Sequence, residues 1–365
     1  MPLKPVHVAV VGVGLVGTEL VEQIAKLATA APRAVHVIYM SSSSRVLYDS
    51  RFAPLDLSVW RQQFTQASAA PQIYVLPTVL KSAASGGKRV VLVDCTSSDD
   101  IAAKYPDFLN VGIHVVTPNK KAFSGSLALY DEIAGASRAT GAKFLNEATV
   151  GAGLPIIGTL KDLIATGDKV LKIEGVLSGT LSYIFNEFST TTGSAGSFSS
   201  IVKAAKQKGY TEPHPAEDLS GFDVSRKLTI LSRLIPSLRS ALPNGFRSVA
   251  TTSLVPEPLK FVPGSEEFMR RLPDHDAHFE KLRAEAFEEG MVLRFVGVID
   301  VEKREIKAGL EKYPFSHPFA TSLSGSDNII AFHTERYSPR PLIIQGAGAG
   351  AAVTAMGVLS DILKV

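Results

Sequence analysis

The chain has 365 residues, of which 45% are apolar and 20% charged, with a formal net charge of +3. This length accommodates two domains with buried cores, and the small net charge excludes the strongly basic surface of proteins that bind nucleic acids or anionic membranes. The single cysteine, Cys95, excludes an internal disulfide; with a strand in place of a signal peptide and no apolar run of membrane-span length, it predicts a cytoplasmic protein.

The N-terminal segment predicts a dinucleotide-binding turn. Val6–Val11 is a short apolar run typical of a buried parallel strand, and Leu15–Leu27 has the pattern of a helix. Between them stands the GxGxxG fingerprint, Gly12-Val13-Gly14-Leu15-Val16-Gly17. Gly12 suits a tight turn, Gly14 a close approach of the pyrophosphate, and Gly17 close packing of helix on strand. The alternative is a glycine-rich turn that binds no ligand.

The end of the second strand bears on the choice of cofactor. Ala34–Met40 is the predicted strand, and four serines and Arg45 follow it. An NAD-selective protein usually has a carboxylate here that binds the ribose 2′-hydroxyl, whereas hydroxyls and an arginine suit a 2′-phosphate. The segment therefore favours NADP, with NAD possible. The alternative is that Arg45 is only a solvated loop residue.

Polar side chains follow two further predicted strands. Thr96 and Ser97 come after Arg89–Asp94, and Lys120 comes after Gly112–Val116. Ligands of open α/β sheets bind at the carboxyl ends of strands. Thr96 and Ser97 are therefore candidate cofactor contacts, and Lys120 is a candidate for charge chemistry. The alternative for Lys120 is a solvated surface lysine.

An irregular, glycine-rich segment begins at Glu147 and leads to a helix from about Pro155. One carboxylate followed by free main-chain carbonyls suits a hard cation. An interdomain hinge is the alternative explanation of the same residue types.

Most charged side chains of interest lie in Gly209–Lys227. Two prolines break its first half, and its second half predicts a helix capped by Asp218 or Ser220. Asp223 and Lys227 are four residues apart and share one face of that helix. On a wet surface such a pair contributes only about 0.2–0.5 kcal/mol.

The alternative is that these side chains form an active site. In that arrangement Glu212 and Asp218 hold an ammonium group, Lys227 handles a proton, and Asp223 orients Lys227.

The C-terminal half predicts an α+β domain. Met291–Val301, Glu305–Glu311 and Asn328–Tyr337 alternate apolar and polar residues, as antiparallel strands with one wet face do. Gln345–Gly350 opens a final helix that runs to Leu363. The predicted fold class is α/β. A Rossmann-type doubly wound domain spans residues 1–146, an α+β catalytic and dimerisation domain spans 147–340, and residues 341–365 return to the first domain.

Five segments together resemble homoserine dehydrogenase in its short monofunctional form, and the resemblance runs nearly from end to end. They are TPNKKAF, NEATVGAGLPI, IEGVLSGTLSYIFNEF, KGYTEPHPAEDLSGFDVSRKLTI and QGAGAGAAVTA. The resemblance implies reversible reduction of L-aspartate 4-semialdehyde to L-homoserine with a nicotinamide cofactor, on the route to threonine, methionine and isoleucine. It also implies a homodimer.

The resemblance implies site residues as well. The family's nucleotide-binding positions fall on Gly12, Gly14, Gly17, Thr96, Ser97, Lys120 and Gly350. Its substrate positions fall on Glu212 and Asp218, with Gly179, Thr180 and Tyr210 around them. Its proton donor falls on Lys227 and the partner of that donor on Asp223. Its sodium site falls on Glu147 and on the carbonyls of Val150, Ala152 and Leu154.

Either Lys227 or Lys120 is then expected to stabilise the charge that develops on the substrate oxygen and to supply its proton. Two alternative functions stand beside this hypothesis. One is an NADP-dependent dehydrogenase of another small aldehyde or hydroxy acid. The other is a non-catalytic NADP-binding sensor, which does not need two lysines and a group of carboxylates.

Overall fold

The structure is a computed structural model that describes residues 4–27, 34–68, 72–193 and 196–365. The strands are β1 Val6–Val11, β2 Val35–Ser41, β3 Val46–Tyr48, β4 Arg89–Asp94, β5 His114–Val116, β6 Phe144–Leu145, β7 Val170–Val176, β8 Ala250–Thr251, β9 Met291–Asp300, β10 Glu305–Pro314, β11 Asp327–Thr334 and β12 Leu342–Ala347. The helices are α1 Leu15–Leu27, α2 Trp60–Gln66, α3 Leu76–Ser85, α4 Asp99–Ala102, α5 Tyr105–Asn110, α6 Lys121–Ser124, α7 Leu127–Thr140, α8 Ile156–Ala165, α9 Gly179–Phe188, α10 Phe198–Gln207, α11 Ala216–Leu219, α12 Phe222–Ser232, α13 Ser265–Arg271, α14 Asp276–Glu288, α15 Pro318–Thr321 and α16 Ala351–Lys364.

The chain divides into two units. The first comprises Met1–Ile157 and Ala349–Val365, and the second comprises Gly158–Gly348. The finer division predicted from the sequence, with boundaries after residues 146 and 340, stays a prediction. Within the described ranges, no helix combines the length and the apolar character needed to cross a membrane.

The first unit is a Rossmann-type sheet, as the sequence predicts. Its strand order is β3-β2-β1-β4-β5-β6, with β1 parallel to both β2 and β4 and with β3 antiparallel at one edge. The apolar sides of α1 and α16 pack on this sheet. Strands β1 and β4 and helix α1 have the predicted bounds. Because the central strands are parallel, their carboxyl ends lie along one edge, where the candidate nucleotide contacts follow them.

The second unit contains a sheet of order β12-β11-β7-β9-β10-β8. Neighbouring strands are antiparallel except for the short pair of β10 and β8. Helices α9 and α12 both contact β9; α9 begins with Gly179 and Thr180, and α12 carries Asp223 and Lys227. This arrangement confirms the α+β class predicted for the second part of the chain.

Three local predictions for this unit are wrong. Strand β9 is buried at every position except its two end residues, and β11 is buried throughout its middle, so neither strand has the predicted wet face. Residues Gln345–Ala347, predicted as part of the opening of the last helix, belong instead to β12, which pairs with β11. Helix α12 begins after Gly221 at φ 75°, so neither Asp218 nor Ser220 is its N-cap. Each error has the same cause, since partners distant in sequence decide burial, pairing and helix ends.

Candidate active site

The glycine turn of the first unit has the geometry that its sequence predicts. Gly12 has φ 92°, and the amides of Gly12 and Val13 both donate to the carbonyl of Ser41, at 2.8 and 2.9 Å. A Cβ added to Gly17 would overlap the carbonyl oxygen of Gly12, so α1 packs tightly on the turn. A Cβ added to Gly14 would meet no atom within 4 Å in the described part of the chain. The turn therefore leaves space for a phosphate beside Gly14, at the start of α1.

The ends of β4 and β2 flank this turn. A Cβ added to Gly12 would lie 2.5 Å from Cγ2 of Thr96, which brings Thr96 against the turn. Ser97 is exposed beside it. Arg45 is exposed in the turn that joins β2 and β3, where its carbonyl accepts a hydrogen bond of 2.9 Å from the amide of Ser42. The surroundings of Thr96 and Arg45 thus leave both side chains within reach of solvent.

A buried polar network joins the ends of β4 and β5. The carboxylate of Asp94 accepts hydrogen bonds from the Tyr105 hydroxyl at 2.6 Å, the Asn119 amide group at 3.0 Å and the Thr96 amide at 2.8 Å. The Asp94 main chain accepts a further bond from Thr117 at 2.7 Å. Asp94 and Tyr105 are fully buried. The network fixes the segment that leads to Lys120. The sequence gives no signal for it, because its members are spread over 26 positions, 94 to 119.

Lys227 is held at two points in the second unit. Its Nζ donates to the main-chain carbonyl of Leu177 at 2.6 Å and lies 2.8 Å from Oδ2 of Asp223. The Lys227 side chain is only 7% exposed, whereas that of Asp223 is 46% exposed. The ion pair that the i, i+4 spacing predicts is therefore present, but it is not a pair on a wet surface, because its lysine is buried. The Leu177 carbonyl is a contact that residue types alone do not reveal.

A second polar group surrounds Asp218. Its Oδ1 lies 2.8 Å from the Thr180 hydroxyl, and its Oδ2 accepts the main-chain amide of Glu212 at 2.8 Å. The same hydroxyl bonds the carbonyl of Tyr210 at 2.5 Å, so its single proton is shared between two acceptors. Gly179 is the first residue of α9, next to Thr180. The structure thus brings together all five predicted substrate residues.

The environment of Asp218 opposes its ionisation. Burial raises the pKa of the Asp218 carboxyl above its ordinary value, and the negative charge of Glu212 raises it further. Hydrogen bonds from Thr180 and from the Glu212 amide lower the pKa but do not outweigh burial. A cationic ligand would compensate the two carboxylates, so the cluster suits an ammonium group.

Glu147 lies in a buried turn of the first unit. It is 6% exposed, its Oε1 accepts the Ile157 amide at 2.6 Å, and its own amide donates to Asp361 at 2.8 Å. The following loop is irregular, with φ 75° at Gly151 and 55° at Ala152. Within the described ranges, no group of three or more His, Cys, Asp or Glu side chains could hold a metal ion. A cation here would therefore depend on one carboxylate and on the predicted carbonyls of Val150, Ala152 and Leu154.

The candidate residues thus form separate groups in the two units. The first unit contains the turn with its flanking residues, the Lys120 segment, the Glu147 loop and Gly350, which has φ 118° and precedes α16. The second unit contains the Asp218 group and the Lys227 group. The peptide Leu177–Thr180 joins these last two groups, because its first residue bonds Lys227 and its last bonds Asp218.

Comparisons with known proteins cover the whole chain. Residues 12–147 match the family model for the NAD-binding domain of homoserine dehydrogenase, and residues 155–363 match the model for homoserine dehydrogenase itself. The homoserine dehydrogenase of Schizosaccharomyces pombe is 49% identical over 99% of this chain and 95% of its own length.

Solved structures share the fold of this chain. A crystal structure of a protein of unknown function from Candida auris has a TM-score of 0.92 at 45% identity, and the match covers 99% of this chain and 98% of that one. A hyperthermophilic archaeal homoserine dehydrogenase in complex with NADPH has a TM-score of 0.70 at 22% identity, over 99% of this chain and 97% of its own. The archaeal protein shares the fold.

Proposed function

The chain belongs to the homoserine dehydrogenase family and is an NAD(P)-dependent oxidoreductase that acts on a CH–OH group, and from this premise we propose which residues perform the reaction. Reduction of L-aspartate 4-semialdehyde gives L-homoserine, in amino-acid biosynthesis. The substrate carries an α-ammonium group at one end and the reacting carbon at the other. The two groups of side chains in the second unit match these two ends in charge.

The Asp218 group binds the α-ammonium. Glu212 and Asp218 supply the negative charge, and the Thr180 hydroxyl holds the Asp218 carboxylate in place at 2.8 Å. Gly179 and Tyr210 complete the surroundings through the start of α9 and the Tyr210 carbonyl. Two carboxylates beside each other, one of them with a raised pKa, favour a ligand of positive charge.

Lys227 handles the proton at the reacting oxygen. Its ammonium donates to the Leu177 carbonyl and pairs with Asp223, and these two contacts fix the position of the cation. In the reducing direction Lys227 stabilises the developing oxyanion and transfers a proton to it. Lys120 is the alternative donor. The observation that carries this proposal is the burial of Lys227, which leaves its side chain 7% exposed beside a half-exposed carboxylate.

The nucleotide is held by the first unit. The space beside Gly14 and the adjacent Thr96 fit a dinucleotide phosphate, and Gly12, Gly17, Ser97, Lys120 and Gly350 are the further proposed contacts. When bound, the reduced nicotinamide supplies the hydride that the substrate carbon receives. The archaeal relative in complex with NADPH supports NADPH as this nucleotide.

Arg45 is proposed to select NADP over NAD, because it is a cation at the end of β2 with three neighbouring serine hydroxyls. We expect Arg45→Ala to raise the KM for NADP about tenfold, the loss of a single charged contact, and to leave the KM for NAD nearly unchanged. Equal losses for the two cofactors would remove Arg45 from the phosphate site. Arg51→Ala is the matched control, since Arg51 is an exposed arginine that pairs with Asp49.

A monovalent cation, proposed as sodium, is assigned to Glu147 and to the carbonyls of Val150, Ala152 and Leu154. The positive φ angle of Ala152, a residue with a Cβ, supports this, because strained backbone of this kind frequently accompanies a ligand site. Glu147→Gln is expected to abolish any dependence of activity and of Tm on sodium. An unchanged sodium dependence in that variant would contradict the assignment.

A homodimer is also proposed. Edge strand β12 supports it, since Ile343 on that strand is 39% exposed and the free edge of a strand can pair with another chain. Sedimentation equilibrium would measure the mass, and a monomer at micromolar concentration would contradict the proposal. A cytoplasmic location is proposed from the free thiol of Cys95, whose pKa is raised by burial, and imaging of a tagged chain would test it.

The decisive experiment follows nicotinamide absorbance with L-homoserine and NADP, for the wild type and for Lys227→Ala and Lys120→Ala. We expect kcat to fall at least about 100-fold in the variant that lacks the proton donor, in both directions of the reaction. If KM rises and kcat is unchanged in one of these variants, the lysine that it replaces is a binding residue and not the proton donor. Retention of kcat in both variants would overturn the proposed mechanism.

A further inference from the structure

We propose that Gly297 is a positioning residue of the reaction: its missing side chain lets α12 approach β9 closely enough for the Lys227 ammonium to reach the Leu177 carbonyl. The inference rests on the proposed role of Lys227. Gly297 lies in the middle of strand β9, where glycine is unfavourable. A glycine at such a position often indicates that another part of the chain approaches the strand closely.

The reason is the close contact with α12. A Cβ added to Gly297 would lie 2.7 Å from Cδ2 and 3.1 Å from Cγ of Leu228, and 3.0 Å from Cγ1 of Val224. Leu228 and Val224 are fully buried, so they have little room to move aside. Even the smallest side chain at position 297 therefore pushes against the helix that carries Lys227.

The same helix approaches β9 through a second glycine. Gly221 has φ 75°, and a Cβ added to it would lie 2.6 Å from Cζ of Phe295. Gly221 lies at the start of α12, on the helix side of the contact. Gly297 lies on the strand side, two residues after Phe295 in β9. Both the start and the middle of α12 therefore pack closely on β9, each at a glycine that has no Cβ.

The distance between helix and sheet determines the position of the ammonium. Lys227 is the chain neighbour of Leu228, and its Nζ bonds a carbonyl of the sheet side, that of Leu177, at 2.6 Å. Leu177 lies two residues after Gly175, which pairs with Gly297 across β7 and β9. A shift of α12 away from β9 therefore moves Lys227 away from Leu177, and an ammonium that lacks this acceptor no longer has a fixed direction.

The experiment uses two volume-matched series in the full-length enzyme. Gly297→Ala and Gly297→Val add one and three carbons, and Leu228→Val and Leu228→Ala remove one and three carbons from the facing side chain. We expect kcat for homoserine oxidation to fall about threefold in Gly297→Ala and about 30-fold in Gly297→Val, because small displacements of reacting groups are costly. The Kd for NADP is expected to stay unchanged, since the nucleotide contacts lie in the other unit.

The paired variants separate positioning from stability. Gly297→Ala with Leu228→Val, and Gly297→Val with Leu228→Ala, conserve total volume, and we expect each pair to recover most of the lost kcat. Gly309→Ala is the matched control, because a Cβ at this glycine of β10 would lie 3.4 Å from Thr252, an ordinary contact. It should retain kcat within about twofold. The pH dependence of kcat is expected to shift in the single variants and to return in the pairs.

Two results would overturn the inference. One is a folded Gly297→Ala enzyme with wild-type kcat and pH profile. The other is a loss of kcat that the paired variants do not recover. Failure of Gly297→Val to fold leaves the alanine series to decide between these outcomes. If Lys227→Ala itself retains kcat, the proposed role of Lys227 fails and the inference fails with it, whatever the Gly297 variants do.

Discussion

The Nζ atom of Lys227 lies 2.8 Å from Oδ2 of Asp223, yet 7% of the lysine side chain is exposed and 46% of the aspartate side chain. The pair therefore stands at the boundary between protein and solvent, with the cation on the inner side. An ammonium in that position depends on its carboxylate more than a surface lysine does.

Replacement of Asp223 should consequently affect the reaction more than the fold. We expect Asp223→Asn to lower kcat about 10–100-fold with a change in the KM for homoserine of less than about threefold, because Lys227 loses its charge partner but keeps Leu177. Steady-state kinetics in both directions would measure this. Glu217→Gln, at an exposed carboxylate on α11, is the control and should behave as wild type. A wild-type kcat in Asp223→Asn would reduce the pair to a structural role.

Substrate affinity should depend on pH through Asp218. Burial raises the pKa of its carboxyl, so the carboxyl becomes protonated at a higher pH than an ordinary aspartate and then loses its attraction for an ammonium group. The KM for homoserine is therefore expected to increase as pH falls through that raised pKa. Thr180→Val removes a hydrogen bond that lowers the pKa, so the increase should begin at a higher pH.

Thr180→Ser keeps the hydroxyl and is the control for that experiment. Asp218→Asn should raise the KM at all pH values and remove most of its dependence on pH in this range. A KM profile of Thr180→Val that coincides with that of the wild type would show that the hydroxyl does not act on Asp218.

Gly14 and Gly17 should respond differently to the same substitution. Gly17→Ala places a methyl group against the carbonyl of Gly12, so we expect a loss of about 2–4 kcal/mol in the free energy of unfolding together with loss of nucleotide binding. Gly14→Ala meets no atom within 4 Å in the described ranges, so Tm should change by less than about 2 °C. Its methyl group occupies the space proposed for the phosphate, and the Kd for NADP should rise at least tenfold. Thermal melts and nucleotide fluorescence would separate the two effects, and an unchanged Kd in Gly14→Ala would refute the phosphate site.

Stability in acid should depend on Glu174 of β7. Its side chain is 7% exposed, and its carboxylate accepts hydrogen bonds from Lys172 at 2.8 Å, His333 at 2.9 Å and Tyr313 at 3.1 Å. Burial alone would raise the pKa of Glu174, but the bonds from His333 and Lys172 outweigh it and lower the pKa to about 2. A carboxyl whose pKa is lower in the folded state stabilises the fold above its unfolded pKa of 4.5, and this contribution is lost as pH falls toward about 2.

We expect Glu174→Gln to lower the free energy of unfolding near neutral pH by about 1–3 kcal/mol and to flatten its decline between about pH 4.5 and 2. Denaturant titrations across that range would measure both effects. Glu335→Gln is the control. The Glu335 side chain is 59% exposed and pairs with Lys169, so its replacement should lower the free energy of unfolding by no more than about 0.5 kcal/mol. Parallel acid profiles of the wild type and Glu174→Gln would contradict the assignment.

The sequence predicts the parts of this protein that depend on neighbours in the chain. The strand, turn and helix of Val6–Leu27 follow from a local pattern, and the pairing of Asp223 with Lys227 follows from helix geometry. The edge strand Leu342–Ala347 could not be predicted in this way, because only its pairing with β11 distinguishes it from a loop. The buried state of β9 likewise depends on what packs against its two faces.

For the candidate site as well, local features could be predicted from the sequence and contacts between distant residues could not. Side chains with typical chemistry, such as Lys227, Asp218 and Thr96, are visible in the sequence by residue type and by resemblance. The Leu177 carbonyl is not, because every residue has a carbonyl and only the fold selects this one. The same holds for the hydrogen bond from Tyr105 to Asp94, because neither of the two segments carries a local pattern that predicts it.

The four-residue peptide from Leu177 to Thr180 has a consequence for the choice of substrate. One of its ends holds the lysine that is proposed to serve the reacting oxygen, and the other holds the aspartate proposed to bind the α-ammonium. A peptide of this length, fixed at the start of a helix, cannot stretch. It therefore sets a fixed distance between the group that binds the α-ammonium and the lysine at the reacting oxygen. An amino-acid aldehyde one methylene longer would bind at one end and miss the other, so the enzyme should discriminate by chain length. It should do so even though an added methylene increases the apolar surface that a pocket can bury.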